Sequence, residues 1–545
     1  MPLTHKAHRK HSGAALILSM IFLVMFSALA VALTSISGAN VQVASNQHKV
    51  NKALHAAQSG LECAKYLVRT VALPQTGINY ITDAQANTVW SNLCTHAQTV
   101  RLDGKTVPPA HRFTDVLGSG DAFATSNLDF GAANGQFTLR FYRYDADLRT
   151  IRIQSVGTDG AATRCVAMEM DITKDREVLN YAIASRGRMW LTGDTTIHGD
   201  LFSTWNRAGI SPYNMTSDST VLGEINTVLS LDDIQDESYQ LETLNGADQP
   251  LDVNGAPLGV NYEDRDYGPL DEIQAYHEGI NYGQPYGNMP GMDISDYNTD
   301  EYVDGLATIP AASTQSRVTE YFPHASGNYT RPRDSGSTSF TRHRYQNQTF
   351  TNALLPVNRH ALFRNCTFEG VLYVDSYKTN TSKSYTNNVR FENCTFNGVI
   401  VTDTPQTLNW VNNCLYFTGE AAFNNQSSIQ EATILAPHFN VNLGNTNPQQ
   451  RDNNVLTGAI VGGIVDIRGN AQIYGTIISM CDTSQWPSGY VTNIGATLDD
   501  GGSETTELGD IGVISITPEE DMMLPSGITS PIVIKPDLTT YSEII

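Results

Sequence analysis

Residues 14–33 read AALILSMIFLVMFSALAVAL, and this stretch decides how the rest of the chain is organised. As a helix it is about 30 Å long, enough to cross the hydrocarbon core of a bilayer. No Asp, Glu, Lys or Arg occurs from Ala14 to Gln47. Before it, residues 1–13 (MPLTHKAHRKHSG) carry Lys6, Arg9 and Lys10. A basic leader of this kind stays cytoplasmic, which places everything after Leu33 outside the inner membrane. After it, Val50, Leu54, Ala57, Leu61, Ala64 and Val68 recur at spacings of 4, 3, 4, 3 and 4, an apolar stripe on one helix face. No Pro falls between Leu3 and Pro74, and Pro74 cannot continue a helix. One helix is therefore expected over 14–73, membrane-spanning at 14–33 and amphipathic beyond, with Gly38 and Gly60 as soft points. Two other readings stay open. Ala28-Leu29-Ala30 has the small-x-small form of a signal-peptidase site, although a signal peptide's apolar region is usually about 7–15 residues. A plain signal anchor is the other.

The run HSGAALILSMIFLVMFSALAVAL, followed by NKALHAAQSGLECA, resembles the N-terminal region of PilX-type minor pilins. It is also similar to the K-type pseudopilins of type II secretion. The resemblance covers about the first 70 residues. It implies cleavage by a prepilin peptidase between Gly13 and Ala14 and methylation of the new N-terminus. It also implies packing beside other pilin-like subunits, with Leu18, Val50, Leu54, Ala57 and Leu61 as the helix-packing positions. Major pilins carry Glu at the fifth mature position, and here that position is Leu18. The departure implies a minor or tip-like subunit rather than a repeating shaft subunit.

Residues 75–178 turn to strand patterns. Gln136–Tyr144, Thr150–Val156 and Thr163–Ile172 alternate apolar and polar residues, separated by turn-forming segments rich in Asp and Gly. A three-stranded antiparallel meander packed on the long helix is the expected pilin-like α+β unit. Cys63, on the long helix beyond its membrane-spanning part, and Cys94 and Cys165, in this segment, all lie outside the membrane in this reading. In an oxidising compartment two of them could join, Cys94 with Cys165 being one possibility.

The remainder carries a repeat. Phe363-Arg-Asn-Cys-Thr-Phe-Glu-Gly-Val-Leu returns 28 residues later as Phe391-Glu-Asn-Cys-Thr-Phe-Asn-Gly-Val-Ile. The shorter pattern apolar-x-Gly-x-apolar occurs around Gly199, Gly370, Gly398, Gly458 and Gly475, with weaker units at Cys414–Thr418 and Thr433–Ala436. Short strands repeating every 20 to 30 residues with Gly or Asn at the turns stack as a parallel β-helix. The expected fold class is α+β followed by all-β. A long N-terminal transmembrane and amphipathic helix with a pilin-like meander precedes a right-handed parallel β-helix. Its boundaries are a first rung at 179–203, a polar and acidic insertion at 204–340, the β-helix at 341–482 and a tail at 483–545, with short strands expected at Gly512–Thr517 and Pro531–Lys535. Each Gly is expected to sit inward where the core is narrow. Cys366, Cys394 and Cys414 are expected to form one inward column of thiols, and Asn365, Asn393 and Asn413 one amide ladder.

Composition and motifs bear on chemistry. The formal net charge of −22 argues against a nucleic-acid surface. Asp293, Asp296, Asp300, Glu301 and Asp304 could gather Ca²⁺, but no Gly falls at the sixth EF-hand position, and a solvated acidic loop is expected instead. Parallel β-helices can cleave polysaccharide with paired carboxylates. Here Asn298-Thr299-Asp300, His198-Gly199 and Asp499-Asp500 are scattered matches to such segments, and no GxSxG, HExxH, P-loop or CxxC is present. No catalytic residue, no metal site and no cofactor is expected. The expected partners are pilin-like subunits, a prepilin peptidase, the inner membrane and a surface or polysaccharide ligand. A surface-anchored β-helix that binds or cleaves carbohydrate is the alternative. The expected location is a single pass in the inner membrane with the C-terminal region extracytoplasmic, and the cell surface after assembly.

Overall fold

The computed structural model describes residues 12–76, 81–99, 101–102, 105–106, 111–114, 120–125, 127–129, 135–144, 146–207, 211–215, 219–230, 233, 243–244, 250–251, 275–285, 289–294, 297, 299, 303–322, 338–376, 386–405, 409–424, 434–444, 453–481, 490–495, 513–518 and 527–544. The chain falls into two compact units, one of Met1–Pro74, Ile81–Thr173 and Ile532–Ile545, the other of Gln75–Tyr80 and Lys174–Pro531.

The first unit is built on helix α1 (Ser12–Arg69). Its C-terminal half lies on an antiparallel sheet whose central strands are Gln136–Tyr144, Asp147–Asp159 and Ala162–Lys174. Ala57, Leu61, Ala64, Leu67 and Val68 share a core with Leu139, Phe141, Ile151, Ile153 and Met168. The helix is continuous through Gly38 and Gly60, so neither is a break. It ends at Arg69 rather than 73, where Thr70 turns its hydroxyl back to the carbonyls of Tyr66 and Leu67. A second helix, α2 (Asp83–Thr99), stands where only strands were expected. Its start is a capping box: Thr82 Oγ1 accepts the Gln85 N–H, and Gln85 Oε1 accepts the Thr82 N–H. Val89, Trp90, Leu93 and Ala97 then fall on its buried face.

The last strand, Ile528–Ile544, also differs from the expected tail. Beside Ala162–Lys174 it extends the sheet of the first unit, with the Glu169 N–H donating to Thr540 Oγ1 from 371 positions away. Ile532 and Ile534 complete that core. The second unit is thus inserted between two adjacent strands of the first unit's sheet.

In the second unit the strands pair in parallel along three ladders, which the chain visits in turn. Residues 460–462 lie on the first ladder, 465–467 on the second and Asn470–Tyr474 on the third, after which Ile477–Ser479 returns to the first. The repeated Phe pair supplies the centre. Tyr345, Phe363, Phe391 and Phe417 stack on the second ladder at 5.0–5.4 Å. Phe350, Phe368, Phe396 and Phe423 stack on the third at 4.5–5.4 Å. The two columns meet edge to face, Phe363 on Phe368 at 5.1 Å and 83°, the offset geometry aromatic pairs prefer.

The corner between these columns turns left-handed. Asn347, Asn365 and Asn393 hold φ of 55°, 51° and 52°, and the series continues with Gly419 at 71°. Asn tolerates this region better than other non-Gly residues because its short side chain bonds locally. Here Asn365 Nδ2 donates to Asn347 Oδ1. The Gly of the repeat sits at the next corner. A Cβ on Gly398 would lie 1.8 Å from the Gly370 carbonyl oxygen, so the neighbouring backbone, not the interior, excludes a side chain there.

Several expectations are corrected. Residues 204–340 are not one insertion: Tyr213–Met215, Glu224–Thr227 and Gly279–Asn281 lie in the ladders, because each short apolar pair buries against its neighbour. The segment 179–203 is not an end rung. Tyr181–Ser185, Arg188–Leu191 and Thr195–Ile197 pair on one side with Asp200–Ser203, Tyr213–Met215 and Thr220–Val221 and on the other with Ile477–Ser479, Tyr490–Ile494 and Ile514–Thr517. The chain therefore joins the stack in its middle. It runs to one end at Gly279–Asn281, crosses to Ala307–Thr308 on the other side of the stack, and returns to meet its own beginning. The crossing uses Met289, Met292, Ile294, Tyr297, Val303 and Leu306. They cover the outward Tyr373, Val401, Leu435, Val461 and Ile478 of the first ladder.

Cys366 and Cys394 lie in the main core, but Cys414 clusters with Phe340 and Tyr416 on the outer side of the second ladder, since Leu415 and Phe417 point inward. Asn413 likewise leaves the Asn365 and Asn393 series and accepts the Asn387 N–H. Cys94 lies on α2 and Cys165 in Ala162–Lys174, and the two are not joined.

Candidate functional site

Helix α1 divides into two surfaces. Leu16, Ile17, Met20, Phe22, Leu23 and Phe26 are each more than half exposed, and the exposed apolar surface continues to Val43. The most apolar 18-residue window has a mean hydropathy of 2.8 and none of it is buried. Its few polar atoms are satisfied within the helix. Ser19 donates to the Leu16 carbonyl, Ser27 to Leu23 and Thr34 to Ala30, as a segment surrounded by lipid requires. The expected cleavage point, Gly13 and Ala14, lies in the first turn, and beyond the helix's own backbone no described residue comes within 4 Å of the place a Gly13 Cβ would take.

The expected packing positions separate along this division. Leu18, 58% exposed, belongs to the free surface. Ala57 and Leu61 are buried and Leu54 is partly buried against the chain's own sheet, with Val50 half-buried at the border. Contact there is close. A Cβ on Gly157 would lie 2.0 Å from the Ala53 carbonyl oxygen, and one on Gly60 would lie 2.6 Å from the Phe137 ring.

The three ladders differ in what covers their outer faces. The first is covered by the crossing segment. On the second, the hairpin Arg317–Phe322 and Thr338–Gln346 presents Glu320 to two guanidiniums, at 3.0 Å from Arg342 Nε and 2.8 Å from Arg390 Nη1. All three side chains are nearly inaccessible. Farther along, Trp410 packs on Ile464, Cys481 and Val491. Arg188 lies over the Tyr490 ring at 4.0 Å. On the third ladder the outward residues remain exposed or half-exposed.

No group of three or more His, Cys, Asp or Glu suited to a metal occurs among the described residues. Asp293 and Asp304 belong to the crossing segment's surroundings, while Asp296, Asp300 and Glu301 lie outside the described residues, as do Asn298, Asp499 and Asp500. His198 is exposed on the third ladder's edge. Burial outweighs Arg140 and Arg152 at Cys165 and pushes its thiol up, away from the reactive thiolate.

Residues 12–62 match the PilX N-terminal family. Over this stretch the chain is type IV pilin-like. The match ends within the buried half of α1, so it covers the exposed surface of the pilin-like helix and the first turns that rest on the sheet. No curated protein matches the chain. Three solved chains match, among them the competence-associated pilin ComZ from Thermus thermophilus, at 14% identity over 91% of this chain and 98% of that one. Its TM-score of 0.25 is too low for the likeness to bear on the fold.

Sequence reasoning missed α2, and it placed a strand only at Pro531–Lys535, without the full length Ile528–Ile544 or its partner. The capping box Thr82-x-x-Gln85 was the available signal for the helix. The strand's alternation, with Ile528, Ser530, Ile532 and Ile534 buried, was legible as a strand but not as a partner of Ala162–Lys174.

Proposed function

We propose that this chain is a non-enzymatic minor subunit of a type IV pilus or related secretion filament, placed at or near its tip. Its second unit is a right-handed parallel β-helix displayed outside the inner membrane. A prepilin peptidase removes the leader after Gly13, Ala14 is methylated, and the exposed half of α1 moves from the bilayer to the company of other pilin-like helices. Leu18 offers no carboxylate to a neighbour's N-terminal amine, which suits a subunit present in few copies. The inserted unit is too large to repeat along a shaft and suits a terminal position for assembly or adhesion.

The observation that supports this reading best is the division of α1. One continuous helix has an N-terminal half with its apolar side chains in the open and a C-terminal half fixed on its own sheet. Burying such an open surface is worth about 25 cal/mol per Å², available from lipid or from a neighbouring helix alike.

The test is the N-terminus of the mature protein and its fractionation. Ala14, methylated, in protein that co-sediments with sheared filaments is the expected result. Gly13→Val should leave the leader in place and hold the chain in the inner membrane. A mature start at Val31, or a chain absent from every filament and envelope fraction, would overturn the proposal.

A further inference from the structure

We infer that the outer face of the third ladder is a binding surface for an uncharged polysaccharide strand. The inference rests on the proposed display of the second unit outside the cell. Along this face Phe350, Phe368, Phe396, Leu456, Ile473 and Ile516 point inward. Alternate residues therefore point out, and they align from strand to strand. Thr349 pairs with Thr367 and Thr367 with Thr395. Farther along, Gln472 pairs with Ser515, and Ser515 with Thr196. Thr349 and Gln472 are exposed and the other four are half-exposed.

The chemistry of the face is specific. Its strands repeat every ~4.8 Å, so hydroxyls and amides recur at a constant interval along the stack. Ala422 and Val455 continue the same column with small apolar groups. A second outward column carries Thr351, Glu369 and Asn397, then Tyr474, a residue 45% exposed. Among the residues just named in both columns the one carboxylate is Glu369, in a chain of net charge −22. The ligand that matches must itself be neutral and extended. It must offer hydroxyls to Thr, Ser, Asn and Gln, and apolar C–H faces to Tyr474 and Val455. A neutral glycan has all of these. A polyanion would meet the negative field of the molecule, and a polycation would find almost no charge on this face.

The first and second ladders are excluded by what lies on them. Met289, Ile294 and Leu306 cover one. The Glu320 hairpin and the Trp410 cluster cover the other.

The experiment is sedimentation of the full-length chain in detergent with insoluble neutral polysaccharides, namely cellulose, chitin and starch, at low and high salt. The expected result is binding to at least one of them that changes less than twofold with salt. Tyr474→Ala should weaken it at least fivefold. Thr349→Glu combined with Gln472→Glu, two exposed positions, should weaken it at least tenfold with the thermal midpoint unchanged. Binding that these substitutions leave intact would overturn the inference. So would no binding to any of the three, or a salt-labile interaction. If instead the substitutions alter self-association of the chain, the face is a contact between copies and the inference also fails. Filament fractionation of the same variants separates the outcomes. A chain that still assembles but binds no glycan defeats this inference and leaves the pilus reading standing.

Discussion

At the scale of single residues, Glu320 and His360 carry the clearest consequences. Glu320 faces Arg342 and Arg390 in a site from which water is excluded. Removing one partner from such a cluster is costly, because the charges that remain stay desolvated. Glu320→Gln is expected to cost about 3 kcal/mol, read as a shift of the urea midpoint, and to loosen the hairpin Arg317–Phe322 first. His360 works through protonation. Burial, with Arg342 and His343 nearby, holds its ring down at about 4 against an ordinary 6.5. Its Nδ1 accepts the Asn388 N–H at 3.0 Å, which a neutral ring allows. The unfolded chain takes up this proton more readily than the folded one, so stability is full above pH 6.5 and declines as pH falls toward 4. The loss from this residue reaches roughly 3 kcal/mol. Denaturant midpoints measured from pH 7 to pH 4 should show the decline, and His360→Gln should flatten it.

At the scale of elements, close contact between α1 and its sheet sets the tolerance. Gly157→Val would drive a side chain into the Ala53 carbonyl and the Ala57 N–H, 2.0 and 2.4 Å from the new Cβ. The expected cost is at least about 2 kcal/mol, with the helix displaced, and amide exchange along residues 53–64 should rise. In the aromatic columns, Phe396→Ala removes a ring that stacks on Phe368 at 5.1 Å and on Phe423 at 4.5 Å. A loss of about 3–5 kcal/mol is expected in thermal or urea unfolding of the second unit. These columns were readable from the sequence, because Phe363 and Phe368 return as Phe391 and Phe396 at fixed spacing. The three strands from Gln136 to Ile172 were readable from period-2 alternation. Asp83–Thr99 was not, since Ala86, Val89, Trp90 and Leu93 make only a short stripe among polar residues. Cys414 was misplaced by parity: in a fully buried strand such as Cys414–Thr418, apolar residues occupy both faces, and alternation no longer says which one points inward.

At the scale of the whole molecule, the parts that could not be read are the ones fixed by distant pairing. Nothing local in Tyr181–Ser185 says that Ile477–Ser479 will lie beside it, or in Ile528–Ile544 that Ala162–Lys174 will. A strand's alternation identifies its face, not its neighbour. The candidate site divided in the same way. The exposed half of α1 was legible from composition alone, whereas the open third ladder emerged only once the other two were seen to be covered. A chain truncated after Gly527 tests the long-range closure. It should leave Ala162–Lys174 as an unprotected edge, raise its amide exchange, and lower the stability of the first unit by several kcal/mol, since Ile532 and Ile534 are lost from its core. If the first unit kept its full stability, the last strand would be an accessory and not a member of the sheet.

The placement of that strand also imposes an order on biogenesis. The ribosome delivers the membrane anchor early, but Thr540, the partner of the Glu169 amide, follows 371 positions later. The sheet that rests on this helix must therefore stay incomplete until the large inserted segment has been translated. Only polypeptides translated through that strand can close it, so premature termination would leave Ala162–Lys174 with an open edge that proteases can recognise.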